Sequence, residues 1–185
     1  MENTSAKKPF ITTKQLTLLG VMTALTCILG PFAIPLPFSP VPISFTNLAV
    51  YITVYVLGMK FGTISFITYL LLGAVGLPVF SSFTGGLGKL AGPTGGYLIG
   101  FIFLALIAGF FIDHFSARLH YAILGMVLGT LVCYLFGTTW LALQMNLDFP
   151  AALAAGVLPY LPGDLAKIII ASILGPKLRG AVRRL

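Results

Sequence analysis

Polar residues are sparse along this chain, and the apolar stretches between them are long. Six runs stand out, at about residues 15–34, 43–58, 61–77, 95–112, 119–143 and 151–174. A membrane-spanning helix takes about 20 predominantly apolar residues, and each run approaches or exceeds that length. The second and third are short and separated only by Met59 and Lys60. The other interruptions are sharp. Pro31, Pro35, Pro37, Pro40 and Pro42 remove five backbone donors within twelve residues and cannot continue a helix. Gly85, Gly86, Gly88, Gly92, Gly95 and Gly96 mark a loop. Asp113 to Ser116 and Asn146 to Pro150 close the remaining gaps. The pattern predicts one all-α integral membrane domain over 1–185 with six transmembrane helices.

Composition sharpens this. Apolar residues make up 58% of the chain and charged residues 8%, against about 25% charged in an average soluble domain. With a mean hydropathy of +1.03, the chain cannot cover a water-facing surface, and it is too apolar for disorder. The net charge of +7 does not point to nucleic acid. Lys7, Lys8 and Lys14 lie at one end, and Lys177, Arg179, Arg183 and Arg184 at the other, so no basic face tracks a phosphate backbone. Basic ends suit an anionic cytoplasmic membrane surface. The polar N-terminus has no clear cleavage site and does not read as a secretory signal.

Placing the N-terminus in the cytoplasm puts nine positive residues inside: Lys7, Lys8, Lys14, Lys60, Arg118, Lys177, Arg179, Arg183 and Arg184. Outside stands Lys89, while Lys167 falls within the last span. This positive-inside bias predicts that both termini are cytoplasmic, with the Pro-rich loop, the Gly-rich loop and Asp148 facing outward. The halves show no internal repeat, which weakens an autonomous secondary transporter.

Chemistry concentrates in Pro159-Tyr160-Leu161-Pro162-Gly163-Asp164-Leu165-Ala166-Lys167. Asp164 and Lys167 are three residues apart and Tyr160 four residues before Asp164, which places them on one helix face. Ionisable groups in hydrocarbon are costly and tend to mark a site. A structural ion pair is the alternative reading. Pro162-Gly163 is expected to interrupt the span and free backbone groups for a cavity. The Gly-rich loop lacks the spacing of a phosphate-binding or dinucleotide loop. It can still bring backbone amides close to a ligand, and Gly95-Gly96 open a helix whose N-terminus suits an anion. Ser44, Thr46 and Asn47 could cap the second helix or bond a ligand. Gly20 and Ala24 form a small-xxx-small pattern that permits close helix approach. Cys27 and Cys133 lie in apolar runs and suggest neither a disulfide nor a metal site. Neither a nucleophile with a base nor a Walker motif is evident, so catalysis, a metal and a cofactor are all unexpected.

These motifs in this order resemble the BioY family, the biotin-specific substrate-capture (S) components of energy-coupling-factor (ECF) ABC transporters. The resemblance rests on Pro40-Val-Pro-Ile-Ser-Phe-Thr-Asn-Leu48, Gly73-Ala-Val-Gly-Leu-Pro-Val-Phe80, the stretch from Gly85 to Leu98, and Pro159 to Lys167. It implies a six-helix protein of the bacterial cytoplasmic membrane that binds biotin with high affinity. It also implies docking on a transmembrane coupling protein (EcfT) driven by two cytoplasmic ATPases, with Gly20 and Ala24 as the docking pattern. On this resemblance, Asp164 and Lys167 meet the ureido ring, or Lys167 the carboxylate. Tyr160, Phe80 or Tyr97 pack on the bicycle, with Thr46 and Asn47 nearby. Backbone amides around Gly85, Gly86, Gly95 and Gly96, helped by Lys89, take the carboxylate. An autonomous facilitator for biotin or a related vitamin is the alternative.

Overall fold

The computed structural model describes residues 11–115 and 118–184. Lys7, Lys8 and Ser116, used above for topology and boundaries, lie outside the described residues. The chain is mainly helical. In order it forms α1 (Thr13–Leu29), β1 (Ala33–Leu36), β2 (Ser39–Ser44), α2 (Thr46–Ala74), α3 (Leu87–Ala91), α4 (Gly95–His114), α5 (Leu119–Met145), α6 (Phe149–Gly156), a short 3₁₀ turn (Leu158–Tyr160) and α7 (Leu161–Arg184). Among the described residues, four helical segments are long and apolar enough to cross a membrane: α2, α4, α5 and the continuous stretch 149–184. The 17-residue α1 is apolar but shorter.

Three expectations need correction. The Pro-rich segment is not an irregular loop but an antiparallel hairpin, pairing Ala33 with Ser44, Ile34 with Ile43 and Leu36 with Ser39. Proline is compatible with an edge strand whose N–H is not needed for pairing, and a register shift between Ile34 and Leu36 absorbs Pro35. The fold is therefore not purely α. The second correction concerns the last span, which does not break at Pro162-Gly163. Those residues sit in the first turn of α7, where a missing proline N–H costs nothing. The break comes earlier, in the 3₁₀ turn with Pro159 at its start.

The third concerns the short second and third runs, which form the single element α2 with a non-helical residue inside it. Gly58 has φ 77° and ψ −177°, a region that costs a side-chain-bearing residue dearly. A Cβ on Gly62 would stand 3.0 Å from the Cα of Val54. Residues eight apart in a straight helix are about 12 Å apart, so the chain folds back at Gly58 into two limbs. Asp113, near the end of α4, caps the second limb by accepting the Met59 amide at 2.7 Å. Arg179 binds the same carboxylate at 3.0 Å and donates to the Tyr55 carbonyl at 3.2 Å. One ion pair thus satisfies orphan groups on both limbs of the turn.

Helices α4 and α5 lie antiparallel at close range. Gly96 faces Trp140, Gly100 faces Cys133, Leu104 faces Gly129, and Ala108 faces Gly125. Small residues let two backbones approach closely where no hydrophobic force drives helices together. Against them pack α2 and α7, and α1 packs on α2, joined to it by a Thr23–Ser65 hydroxyl bond of 2.9 Å. Large aliphatic residues such as Leu131 and Leu135 on α5 and Leu165, Ile169 and Ile173 on α7 face outward. Thr, Tyr, Asn, Asp and Lys are among the residues buried inside. An outward face of large aliphatic residues, with polar side chains drawn inside, is suited to lipid rather than water.

Candidate binding site

A cavity lies between β2, the start of α2, the Ser81 loop, the N-terminal turns of α4, the middle of α5 and the start of α7. Its polar wall is built around Asp164, which is 8% exposed, and Lys167, at 7%. The Lys167 ammonium meets Asp164 Oδ1 at 3.0 Å and the Ser44 carbonyl at 2.7 Å. Asn47 Nδ2 donates to the same Oδ1 at 2.8 Å, and the Tyr134 hydroxyl donates to Oδ2 at 2.5 Å. A buried carboxylate therefore has donors from three helices, while its lysine is also fixed by the hairpin. Breaking such a pair by removing one partner leaves an uncompensated buried charge, so loss of either member is costly.

The atom inventory shows what the cluster can still do. A carboxylate has about four acceptor positions and an ammonium three donors. Three positions on Asp164 are taken, leaving one on Oδ2. Two donors of Lys167 are taken, leaving one. Asn47 keeps a second amide hydrogen. The wall thus presents one acceptor beside donors, with the two opposite charges already paired. Such a surface suits a neutral group whose N–H stands next to a C=O, as in an amide or urea.

Of the residues singled out from the sequence, Asp164, Lys167, Tyr160, Asn47, Thr46 and Tyr97 all line this cavity. Asn47 does not cap α2: the cap position is Phe45, without a side-chain cap bond, and the Asn47 amide instead reaches Asp164, 117 residues away. Tyr160 shares the wall, but its hydroxyl turns from Asp164 to the Val41 carbonyl and to Ser39 Oγ at 2.7 Å, fastening the hairpin. Tyr97 Oη donates to the Gly156 carbonyl at 3.0 Å, leaving its ring as apolar wall.

Phe80, Gly85, Gly86, Lys89, Gly95 and Gly96 are not on the cavity wall. Phe80 is fully buried, with its ring against Gly73 and edge-on to Tyr69 at 5.5 Å. Gly85 lies beneath the Leu77 carbonyl, Gly95 beneath that of Leu90, and Gly96 beneath Trp140. Close packing of the chain accounts for these glycines. Lys89, on the short α3, is half-buried, and desolvation lowers its ammonium below the usual lysine range. Gly20 and Ala24 are exposed on α1, and nothing in the described chain lies within 4 Å of a Cβ on Gly20.

Tyr134, Ser44, Ser81, Thr94 and Thr130 complete the polar lining, with Leu98, Phe101 and Cys133 as apolar wall. Sequence reasoning missed Tyr134 because one tyrosine within an apolar run has no signature. Its spacing to Thr130 and Cys133 on one helix face was the only available hint. Among the described residues no cluster of metal-ligating side chains occurs.

The profile of the BioY family matches residues 2–184. The chain is 38% identical over 166 residues to the biotin transporter BioY of Thermotoga maritima, covering 90% of this chain and 96% of that one. It is 37% identical to the biotin transporter BioY of Rhizobium etli, covering 89% and 92%. The fold is similar to a crystal structure of the S-component for biotin from an ECF-type ABC transporter, with a TM-score of 0.84 and 33% identity over 90% of this chain and 91% of that one.

Proposed function

This chain belongs to the BioY family, and we propose that it is the membrane subunit that captures biotin for import by an ECF-type ABC transporter. The observation that carries the reading is the Asp164–Lys167–Asn47–Tyr134 cluster facing a cavity inside an apolar-surfaced bundle. Biotin's ureido ring is neutral and places an N–H beside a C=O. The remaining acceptor position on Asp164 takes that N–H, and the remaining donor on Lys167 or Asn47 takes the carbonyl oxygen. The mutual neutrality of Asp164 and Lys167 favours this pose over one in which Lys167 leaves its partner for the ligand carboxylate. Leu98, Phe101 and the Tyr97 ring flank the thioether bicycle.

The finer topology belongs to the same reading. Counting the two limbs of α2 separately, with α6 and α7 as one broken crossing, gives six crossings of the cytoplasmic membrane. Both termini are then cytoplasmic, and the Gly58 turn lies on that side together with Lys60, Arg118, Lys177, Arg179, Arg183 and Arg184. The hairpin and the Gly-rich loop face outward, so the cavity opens to the side from which substrate arrives. Binding without bond-making is the whole of its chemistry. Transport then requires a motor: a transmembrane coupling protein (EcfT) with two ATPases, approached through the exposed Gly20–Ala24 face of α1. Native mass spectrometry of the purified chain incubated with biotin tests capture. One biotin per chain, absent in Asp164→Asn, supports the reading; well-folded wild type that carries none contradicts it.

A further inference from the structure

Outside the Asp164 cluster, the polar side chains of the cavity wall are turned to the protein itself. Thr130 Oγ1 donates to the Met126 carbonyl at 2.7 Å and meets the Tyr51 hydroxyl at 2.5 Å. Tyr97 donates to the Gly156 carbonyl and Tyr160 to that of Val41. Ser44 Oγ donates to Thr46 Oγ1 at 3.1 Å, and the Cys133 thiol to the Tyr97 carbonyl at 3.5 Å. Thr94 Oγ1 has no partner, but it is sealed into the wall. Ser81 is the exception, half-buried on its loop.

A ligand is therefore read unequally along its length. At the cluster, its N–H and C=O meet an acceptor and donors that hold a place for them. Beyond the cluster it meets groups that pack: Leu98, Phe101, the Tyr97 ring and a thiol already engaged. A thioether sulfur is a weak acceptor in any case. A site that hydrogen-bonds a polar group rejects an analogue lacking it by roughly 10⁴–10⁵-fold. An apolar pocket rejects the loss of a methylene-sized group by only about 10–200-fold.

We propose that the site takes cyclic ureas bearing an acid tail as a class and does not read the sulfur, so that the monocyclic, sulfur-free urea acid is a second substrate of this subunit. This rests on the biotin reading above and widens it. The urea is the required group, and Asp164, Lys167 and Asn47 make the same contacts to either ligand. The thioether ring contributes only what its bulk contributes against the apolar wall.

The test titrates three ligands into the full chain by calorimetry: biotin, desthiobiotin, which has the urea ring and acid tail but no sulfur, and lipoate, which has a sulfur ring and acid tail but no urea. Desthiobiotin is expected to bind within about 200-fold of biotin, the loss reflecting missing contacts and an opened ring whose rotors must be ordered. Lipoate is expected to fall by at least about 10⁴-fold. Asp164→Asn should lose both ureas together. Ser81→Ala and Cys133→Ala, which remove the wall donors that could otherwise read a sulfur, should shift biotin and desthiobiotin by the same factor. Desthiobiotin as weak as lipoate, lipoate as tight as biotin, or a loss confined to biotin in either wall variant would overturn the proposal. The wild-type comparison decides alone where a variant does not fold. Failure of the biotin reading looks different, because wild type would then bind none of the three.

Discussion

Asn47, in the first turn of α2, donates at 2.8 Å to the carboxylate oxygen of Asp164 that also holds Lys167. Asn47 therefore both completes the cluster and keeps an amide hydrogen for a ligand. Hydrogen bonds to charged groups contribute about 1.5–3 kcal/mol. Asn47→Ala should weaken biotin binding roughly 10- to 100-fold on that scale. Asn47→Asp, which sets a second carboxylate against the first, should weaken it further. Titration of both variants checks the order, and wild-type affinity in Asn47→Asp would show that Asn47 lies outside the site.

The Gly58 turn is equally specific. Its φ of 77° is hostile to a side chain, and a Cβ there would stand 2.5 Å from Asp113 Oδ2. Gly58→Ala combines backbone strain, worth about 1–3 kcal/mol, with displacement of a helix cap, worth about 0.5–2 kcal/mol. The thermal midpoint in detergent should fall by several degrees. Asp113→Asn keeps an acceptor for the Met59 amide but weakens the hold on Arg179, and should fall less.

The free space within the cavity is about 60 Å³, room for roughly four or five waters and well short of biotin. Its outer wall is expected to widen as substrate enters. The hairpin is fastened by Ser39 donating to the Ala155 carbonyl at 2.8 Å and by Tyr160. The opposite rim turns through Ser82 and Phe83, both at positive φ. It is tied to the hairpin's base by the Ser82 amide on Pro31, at 2.9 Å, and an edge-on Phe32–Phe83 contact, at 5.7 Å. An aromatic pair contributes about 0.5–1.5 kcal/mol, so Phe83→Ala should speed biotin release roughly two- to tenfold. A disulfide between cysteines at 32 and 83 should block exchange until reduced. Unchanged exchange in the oxidised form would place the route elsewhere.

Lys89 supplies a contrasting prediction. Desolvation lets its ammonium lose charge at a lower pH than a free lysine. Because it is off the wall, biotin affinity should stay flat as pH rises through that titration, and Lys89→Met should bind within about threefold of wild type, less than one typical hydrogen bond. A pronounced loss in Lys89→Met would return it to the site.

The exposed Gly20–Ala24 face has no partner within the described chain. Gly20→Leu should leave biotin binding intact and abolish co-purification with the coupling module. Weakened biotin binding in that variant would instead tie this face to the fold of the capture subunit.

Long apolar runs, the basic ends and the i, i+3 spacing of Asp164 and Lys167 were legible because each is local in sequence. Asn47 was legible only as a polar exception, since its use depends on a residue 117 positions away. Tyr134 was hinted at only by its spacing to Thr130 and Cys133: within an apolar run, a tyrosine that reaches a carboxylate reads like one that packs. The glycines misled for a related reason. Composition suggested amides open to a ligand, whereas Gly85, Gly95 and Gly96 lie beneath carbonyls or Trp140. The residue beside them, Thr94, carries the unpartnered group. Prolines likewise argued correctly against a helix over 31–42 but could not by themselves reveal the pairing of β1 with β2.

The most direct test of biotin capture by the Asp164 cluster is calorimetric titration of biotin into wild type and Asp164→Asn, with thermal midpoints measured in parallel. Wild type is expected to show a single tight site, and the variant, still folded, a loss of roughly 100-fold or more. Wild-type binding by a folded Asp164→Asn protein would contradict it.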